Sequence, residues 1–225
     1  MGQHINIPTS RTQCIGAYLA QPAGRPRGGV VVIQEIFGVT AHIRSVADRF
    51  AEAGYTAVAP AFFDHLESWI ELDYDETGSA RGKALVSELG LDRPLEDVAS
   101  AAEAIASSGK VGTVGYCWGG TVALLSAMRL GLPSVSYYGA RNVPFLGEKP
   151  QAPLMFHFGE DDPSIPPEAV AKHRELLPQM EVFTYPGAGH AFNRDVPGDR
   201  HYREDSARLA WQRTLAFFDR HLAGA

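Results

Sequence analysis

The stretch Gly115-Tyr-Cys-Trp-Gly-Gly120 lies between a β-branched run and a run of small apolar residues. It reads G-x-C-x-G, the pattern of a sharp strand-to-helix turn that exposes a nucleophile, here with cysteine in place of serine. Glycine fits two positions either side of the nucleophile because larger side chains would collide with the neighbouring backbone. The pattern places Cys117 after a strand and before the N-terminal dipole of a helix, which favours the thiolate. The alternative is a buried structural cysteine in a glycine-rich bend.

Strand-like and helix-like segments alternate on both sides of this turn. Apolar or β-branched runs predict strands at 29–34, 55–59, 110–116, 134–138, 153–158 and 181–185. Helical spacing predicts helices at 40–53, 79–89, 95–107, 121–130, 167–177 and 202–221. In the last helix we expect these residues to face inward: Leu209, Leu215, Phe218 and Leu222. The alternation predicts an α/β fold with a mostly parallel central sheet, helices on both faces and reactive residues at the carboxyl ends of strands.

The composition is that of one ordinary globular domain. Of the 225 residues, 45% are hydrophobic and 20% are charged, without repeats or low-complexity tracts. We therefore expect a single domain over residues 1–225, in which the irregular stretch 61–78 forms a lid or variable segment. The formal net charge of −6 and the lack of clustered Lys and Arg argue against a nucleic-acid partner.

The sequence shows neither a pattern typical of targeting segments nor a cysteine pattern that indicates disulfides. No apolar run approaches the roughly 20 residues that span a bilayer, and the first residues do not form a signal peptide. The two cysteines, Cys14 and Cys117, lie in such different contexts that a disulfide is not expected. These features predict a cytoplasmic protein, a monomer or weak homo-oligomer, that acts on a small molecule without a membrane partner.

An acidic loop and a histidine follow the cysteine in the order that a nucleophile turn predicts. Asp161 and Asp162 come after the strand that ends at Phe158, and one of them can orient a histidine, although such residues also form turns and cap helices. His190 follows the last strand on a glycine-rich loop that can reach a distant nucleophile. No H-x-x-x-H, H-x-x-E-H or C-x-x-C spacing occurs, so a metal centre is not predicted.

The chain resembles the dienelactone hydrolases (carboxymethylenebutenolidases), a family with the α/β-hydrolase fold. The motifs that carry this resemblance run in the family's order over nearly the whole chain: QEIFGV (34–39), GYTAVAP (54–60), KVGTVGYCWGG (110–120), YYG (137–139), the loop 159–166 and GHAF (189–192). The combination of Q-E-I-F-G with G-Y-C-x-G-G is far more specific than a generic hydrolase turn.

The resemblance implies that Cys117 is the nucleophile, His190 the base and Asp162 the acid that orients the base. It favours Asp162 over Asp161 because the family's acid stands four residues before the proline that here is Pro166.

Further members of the site follow from the same resemblance. Glu35 corresponds to an additional carboxylate that contacts the resting thiol and helps to deprotonate it when substrate arrives. The backbone N–H groups of Ile36 and Trp118 would form the oxyanion hole, the second because it follows the nucleophile directly.

Substrate recognition is implied at four positions. Arg81 and Arg194 match arginines that hold the substrate carboxylate in the family, a task that suits the bidentate guanidinium. Tyr138 and Phe37 would line the pocket. The chain departs from the family in the stretch 61–78 and in the helix after Arg81, which lacks the aromatic residues of the family pocket, so the pocket walls are expected to differ.

The predicted function is hydrolysis of an ester or lactone through a thioester acyl-enzyme, with no cofactor. A free thiol is only a few per cent ionised at neutral pH, so the nucleophile needs activation by a base. The preferred substrate is a small enol lactone that bears a carboxylate, as in the breakdown of aromatic compounds. Two alternatives remain open: a general carboxylesterase or thioesterase, and a non-catalytic binding module with the same fold.

Overall fold

The computed structural model of the chain describes residues 2–9 and 14–222. The chain divides into two compact units, one made of residues 1–113 with 222–225 and the other of residues 114–221. Strands alternate with helices in both, so the predicted α/β class is confirmed.

The first unit carries the strand that precedes Glu35. Its elements, in chain order, are β1 (Gln3–Pro8), β2 (Cys14–Ala20), β3 (Gly29–Ile33), α1 (Ala41–Glu52), β4 (Thr56–Pro60), a 3₁₀ turn (Phe62–His65), α2 (Glu76–Leu89), α3 (Asp92–Ala104), a second 3₁₀ turn (Ala106–Ser108) and the first half of β5 (Val111–Tyr116). The strand order is β1-β2-β4-β3, with β3 and β4 parallel and the other two pairs antiparallel. Both β3 and β4 are buried throughout, which explains their continuous apolar sequences.

The second unit carries the predicted nucleophile, acid and base. After the second half of β5 it contains α4 (Trp118–Leu125), a π-helical turn (Ser126–Leu130), β6 (Ser134–Tyr137), a 3₁₀ turn (Val143–Phe145), β7 (Leu154–Gly159), α5 (Pro167–Leu176), β8 (Glu181–Tyr185) and α6 (Glu204–His221). β6, β7 and β8 are parallel neighbours in this order. Their carboxyl ends therefore share one edge, as the sequence predicts.

Several features differ from the prediction, among them the starts of α2 and α4, which come three residues earlier than expected, at Glu76 and Trp118. The sequence does not predict the hairpin of β1 and β2, because much of β1 is exposed and its pattern is weak. α3 begins at Asp92 rather than at residue 95, since a proline is tolerated in the first helical turn, where Pro94 lies. The prediction that Leu209 faces inward is wrong, because this residue is 40% exposed. The buried stripe of α6 consists of Ala207, Ala210, Thr214, Phe217 and Phe218, and Leu209 lies off it.

A polar network crosses the core of the second unit. His157 on β7 is fully buried, with Nδ1 hydrogen-bonded to the Tyr185 hydroxyl (2.8 Å) and Nε2 to Thr214 Oγ1 (3.1 Å). Thr214 also bonds the Tyr137 hydroxyl (2.7 Å), and Arg213 donates to the Tyr185 hydroxyl (3.1 Å). Burial, with the nearby positive charge of Arg213, lowers the pKa of His157 to about 3. The ring is therefore neutral at pH 7.

The irregular stretch 61–78 is tied to other parts of the first unit. Nε2 of His65 lies 2.9 and 2.8 Å from the two carboxylate oxygens of Asp97 on α3, and both side chains are buried. The backbone N–H of Leu72 donates to the carbonyl of Phe37, just beyond β3. Its role as a lid stays a prediction. Along the described residues, no helix combines the length and the apolar character needed to cross a bilayer.

Candidate active site

Cys117 occupies a strained turn between β5 and α4. Its backbone has φ 56° and ψ −117°, and its N–H donates to the carbonyl of Tyr137 at the end of β6 (3.0 Å). A Cβ on Gly115 would lie 1.8 Å from the carbonyl oxygen of Gly119, so only glycine fits there. The strand, sharp turn and helix that the sequence predicts around this cysteine are therefore present.

The acidic loop after β7 packs directly against the loop that carries the predicted base. The N–H of Asp161 donates to the carbonyl of Ala188 (2.9 Å), and a Cβ on Gly159 would lie only 2.2 Å from that same oxygen. Asp162 is buried and accepts a hydrogen bond from the N–H of Ser164 at Oδ1 (2.8 Å), while Asp161 is exposed. This close approach brings the buried carboxylate to the histidine loop.

His190 lies between the predicted acid and the predicted nucleophile. Its Nδ1 lies 2.7 Å from Oδ2 of Asp162, and the thiol of Cys117 is its other hydrogen-bonding partner, which assigns Nε2 to the sulfur. Burial opposes the charged ring, but the hydrogen bonds to Asp162 and Cys117 outweigh it and raise the pKa of His190 to about 10. The structure thus brings together the three residues that the sequence predicts, with the imidazole protonated at neutral pH.

Backbone strain concentrates around these residues. Among the described residues, four that are not glycine have a positive φ, and three of them lie here: Cys117, Tyr138 (40°) and Ala191 (61°). Tyr138 is fully buried, and its ring centroid lies 5.1 Å from that of His190. Strained residues tend to cluster where a site fixes its geometry. The ring of Tyr138 packs against the ring of His190, and its contact with substrate stays a prediction.

The predicted members Glu35, Ile36 and Phe37 follow β3 in the first unit. All three are buried, with Glu35 only 1% exposed. A Cβ on Gly82 of α2 would lie 2.1 Å from the carbonyl oxygen of Ile36, so α2 packs directly against this segment. Phe37 meets Tyr74 edge to face at 4.7 Å. Glu35 as auxiliary carboxylate and Ile36 as oxyanion donor stay predictions.

Both predicted substrate arginines form ion pairs with protein carboxylates. Arg81 on α2 is half exposed, and its Nη2 lies 2.8 Å from Oε2 of Glu67. Arg194 is buried and donates through Nε to Asp199, which also accepts the N–H of His201 (2.8 Å). Burial raises the pKa of Asp199, but the hydrogen bonds from Arg194 and from the N–H of His201 outweigh this effect. The pKa of Asp199 is therefore lowered overall. Sequence reasoning misses Asp199, because its context Pro-Gly-Asp indicates only a turn.

Loss of the Asp162 carboxylate is expected to disable the base. In Asp162→Asn, an amide replaces the acceptor of the Nδ1 proton, so the ring loses its orientation and its charge partner, and kcat should fall by about 10²- to 10⁴-fold. The matched control is Asp161→Asn, an exposed neighbour with the same chemistry, which should stay within about two-fold of the wild type. Steady-state hydrolysis of an aryl ester measures both. Equal losses in the two variants would contradict the assignment.

Comparison with known proteins decides the family. The model of the dienelactone hydrolase family matches residues 15–222. The chain belongs to the dienelactone hydrolase family. The carboxymethylenebutenolidase of Pseudomonas putida is 32% identical over 228 residues, which cover 95% of this chain and 94% of that protein. A protein from Azospirillum brasilense that is provisionally named carboxymethylenebutenolidase is 35% identical over 232 residues, covering 97% and 98%.

Solved structures agree with the dienelactone hydrolase assignment. A crystal structure from Klebsiella pneumoniae, provisionally named a dienelactone hydrolase, has a TM-score of 0.85 and 30% identity, covering 98% of this chain and 99% of that one. An esterase from Pyrococcus furiosus shares the fold at a TM-score of 0.70 and 14% identity, covering 100% and 93%. The predicted α/β-hydrolase fold is confirmed, and this family member is a carboxylic ester hydrolase.

Proposed function

We propose that the protein hydrolyses a small ester or lactone through a Cys-His-Asp triad and a thioester acyl-enzyme on Cys117. One observation carries the proposal: the ring of His190 is hydrogen-bonded to the buried carboxylate of Asp162 on one side and to Cys117 on the other. With the pKa of His190 raised to about 10, an imidazolium lies beside the sulfur and stabilises the thiolate once it forms.

The reaction proceeds in two halves. The thiolate of Cys117 attacks the carbonyl carbon, a C–S bond forms, and the carbonyl electrons move onto oxygen as a tetrahedral oxyanion. Collapse breaks the C–O bond, and the His190 imidazolium gives its Nε2 proton to the departing oxygen. The neutral ring then takes a proton from water, whose hydroxide attacks the thioester and releases the acid together with the thiolate. Asp162 keeps the ring oriented throughout.

Charge on the tetrahedral oxygen requires N–H donors. Trp118 follows the nucleophile as the first residue of α4, so its N–H is the expected donor from the nucleophile turn. By family resemblance, Ile36 N–H supplies the second donor and Glu35 assists deprotonation of the resting thiol. Removing one oxyanion donor typically costs about 10²- to 10³-fold in kcat.

The first candidate substrate is a small enol lactone with a carboxylate, as formed in the breakdown of aromatic compounds, with Arg81 and Arg194 as the groups that bind the carboxylate. A second candidate is favoured by the ion pairs of these arginines. Asp199 already balances the charge of Arg194, and Glu67 that of Arg81, so a substrate carboxylate has to compete with a protein carboxylate. A general esterase or thioesterase that acts on neutral acyl groups avoids this competition.

Two matched substrates separate these candidates. Steady-state kcat/KM is measured for a carboxylate-bearing dienelactone and for a neutral aryl ester of similar size. Under the first candidate the lactone wins by about ten-fold or more, because one charge-assisted bidentate pair contributes roughly 1.5–3 kcal/mol. Preference for the neutral ester would assign the second candidate. Hydrolysis of neither would overturn the proposal.

A further inference from the structure

The first turn of α4, the helix that starts at the nucleophile, is held by a side chain from outside that helix. Thr121 and Asn142 are both fully buried, and Thr121 Oγ1 donates a hydrogen bond to Asn142 Oδ1 over 2.9 Å. Asn142 lies in the loop that follows β6. In the same turn, the N–H of Gly120 donates to the carbonyl of Cys117 (3.0 Å). The amide of Asn142 therefore anchors the helix one turn from the reactive sulfur.

The orientation of this amide is fixed at its other end by a buried histidine. Nδ1 of His173 on α5 lies 2.7 Å from the carbonyl oxygen of Ala169, which can only accept, so Nδ1 carries the proton. Nε2 of His173 is then an acceptor, and Asn142 Nδ2 donates to it over 3.2 Å. Burial lowers the pKa of His173, which keeps the ring neutral at pH 7. The amide oxygen is thus committed to Thr121.

Close packing leaves the amide no room to move. A Cβ on Gly139 would lie 2.7 Å from Asn142 Oδ1. A Cβ on Gly120 would lie 2.7 Å from the carbonyl oxygen of Tyr137, which is the oxygen that accepts the N–H of Cys117. The end of β6, the start of α4 and the Asn142 amide therefore form one tightly packed junction beneath the nucleophile.

We propose that Asn142 is a positioning residue for hydrolysis, which acts through Thr121 to fix the start of α4 and so the direction of the Cys117 thiol and the Trp118 N–H. It touches neither substrate nor the reacting atoms. Misplacing a catalytic group by about 1 Å can cost about 10²-fold in rate, so a single buried hydrogen bond at this place affects the chemistry beyond its share in stability. This inference rests on the proposed role of Cys117.

Two substitutions at Thr121 test the bond. Thr121→Val keeps the shape and removes the hydroxyl, whereas Thr121→Ser keeps the hydroxyl. We expect Thr121→Val to lower kcat by about 10- to 100-fold with KM within about two-fold, and Thr121→Ser to recover most of the loss. A second readout is the pH at which iodoacetamide alkylation of Cys117 is half-maximal, which should rise in Thr121→Val because the helix N-terminus no longer faces the sulfur.

A control of the same chemistry separates positioning from stability. Thr214→Val also removes a buried threonine hydroxyl in the second unit. This hydroxyl belongs to Thr214 on α6 and takes part in the His157 network. We expect it to lower the midpoint of thermal unfolding and to leave kcat and the alkylation profile unchanged. If Thr121→Val behaves like Thr214→Val, with lower stability and unchanged chemistry, Asn142 is only structural and the inference is overturned.

A double-mutant cycle links the effect to the amide. Asn142→Leu and Thr121→Val remove two ends of one hydrogen bond, so the loss of kcat in the double variant should match that of the single variants rather than their product. A multiplicative loss would contradict the proposed connection. Cys117→Ala is measured in parallel. If it keeps wild-type activity, the proposed function fails, whereas an inactive Cys117→Ala with a fully active Thr121→Val overturns the positioning role alone.

Discussion

Cys117→Ala is expected to lower kcat for any ester or lactone substrate by about 10⁴-fold or more, to the level of the uncatalysed reaction plus what binding contributes. The reason is that the residue supplies the only protein atom in the proposed mechanism that bonds to the substrate carbon. His190 and Asp162 stay in place in this variant, but they have no thiol to activate. Stopped assays with the dienelactone and the aryl ester measure the loss.

The second cysteine offers a matched control. Cys14 on β2 is exposed and free, so Cys14→Ala should keep kcat and KM within about two-fold of the wild type. The resulting protein has one thiol, which allows the covalent intermediate to be trapped. Acid quenching during turnover, followed by intact mass measurement, should show one acyl group added in Cys14→Ala and none in Cys14→Ala/Cys117→Ala. Full activity of Cys117→Ala would refute the mechanism.

The second large effect is an acid lability that originates at His157. The pKa of His157 is about 3 in the folded protein and 6.5 in the unfolded chain, so above pH 6.5 both states of this ring are neutral and its contribution to stability is complete. Below pH 6.5 only the unfolded chain takes up the proton. The free energy of unfolding then falls by about 1.4 kcal/mol per pH unit, which amounts to about 2 kcal/mol by pH 5. The neutral His173 contributes in the same direction.

Urea unfolding between pH 7.5 and 5 tests this origin. His157→Gln retains one donor and one acceptor for Tyr185 and Thr214 but does not titrate. Below pH 6.5, the free energy of unfolding should therefore fall less steeply with decreasing pH, by about 1.4 kcal/mol per pH unit. The variant is expected to be less stable at pH 7.5 because the amide fills the site imperfectly, and the gap to the wild type should narrow as the pH falls. An unchanged slope would place the acid lability elsewhere.

The sequence predicts what local patterns encode. The turn around Cys117 has a pattern that is typical of a strained strand-to-helix connection, and the alternation of strands and helices predicts that Asp162 and His190 reach the same edge of the sheet. Family resemblance then distinguishes Asp162 from Asp161, which local chemistry leaves open. The structure supplies the physical reason for that choice: one carboxylate is buried beside the imidazole and the other is exposed.

Partnerships between distant residues leave no local pattern. Nothing near Asn142 indicates that its amide anchors Thr121, and a turn sequence alone does not reveal that Asp199 pairs with Arg194. Solvent exposure at an amphipathic boundary is similarly hard to predict, as Leu209 illustrates. These features depend on which surfaces meet after folding, and a hydrophobic pattern describes only one surface at a time.

The bond between His190 and the thiol also has a consequence for biosynthesis. The nucleophile precedes its base in the chain, and synthesis proceeds from the N-terminus, so Cys117 leaves the ribosome as an ordinary thiol. It acquires its imidazolium partner only when the last strand and the loop behind it have been made and have docked. Under the proposed mechanism, the reactivity of this thiol toward oxidants and electrophiles is thereby delayed until the fold is nearly complete. A nascent or misfolded copy carries the cysteine without the activation that would make it hazardous to its neighbours.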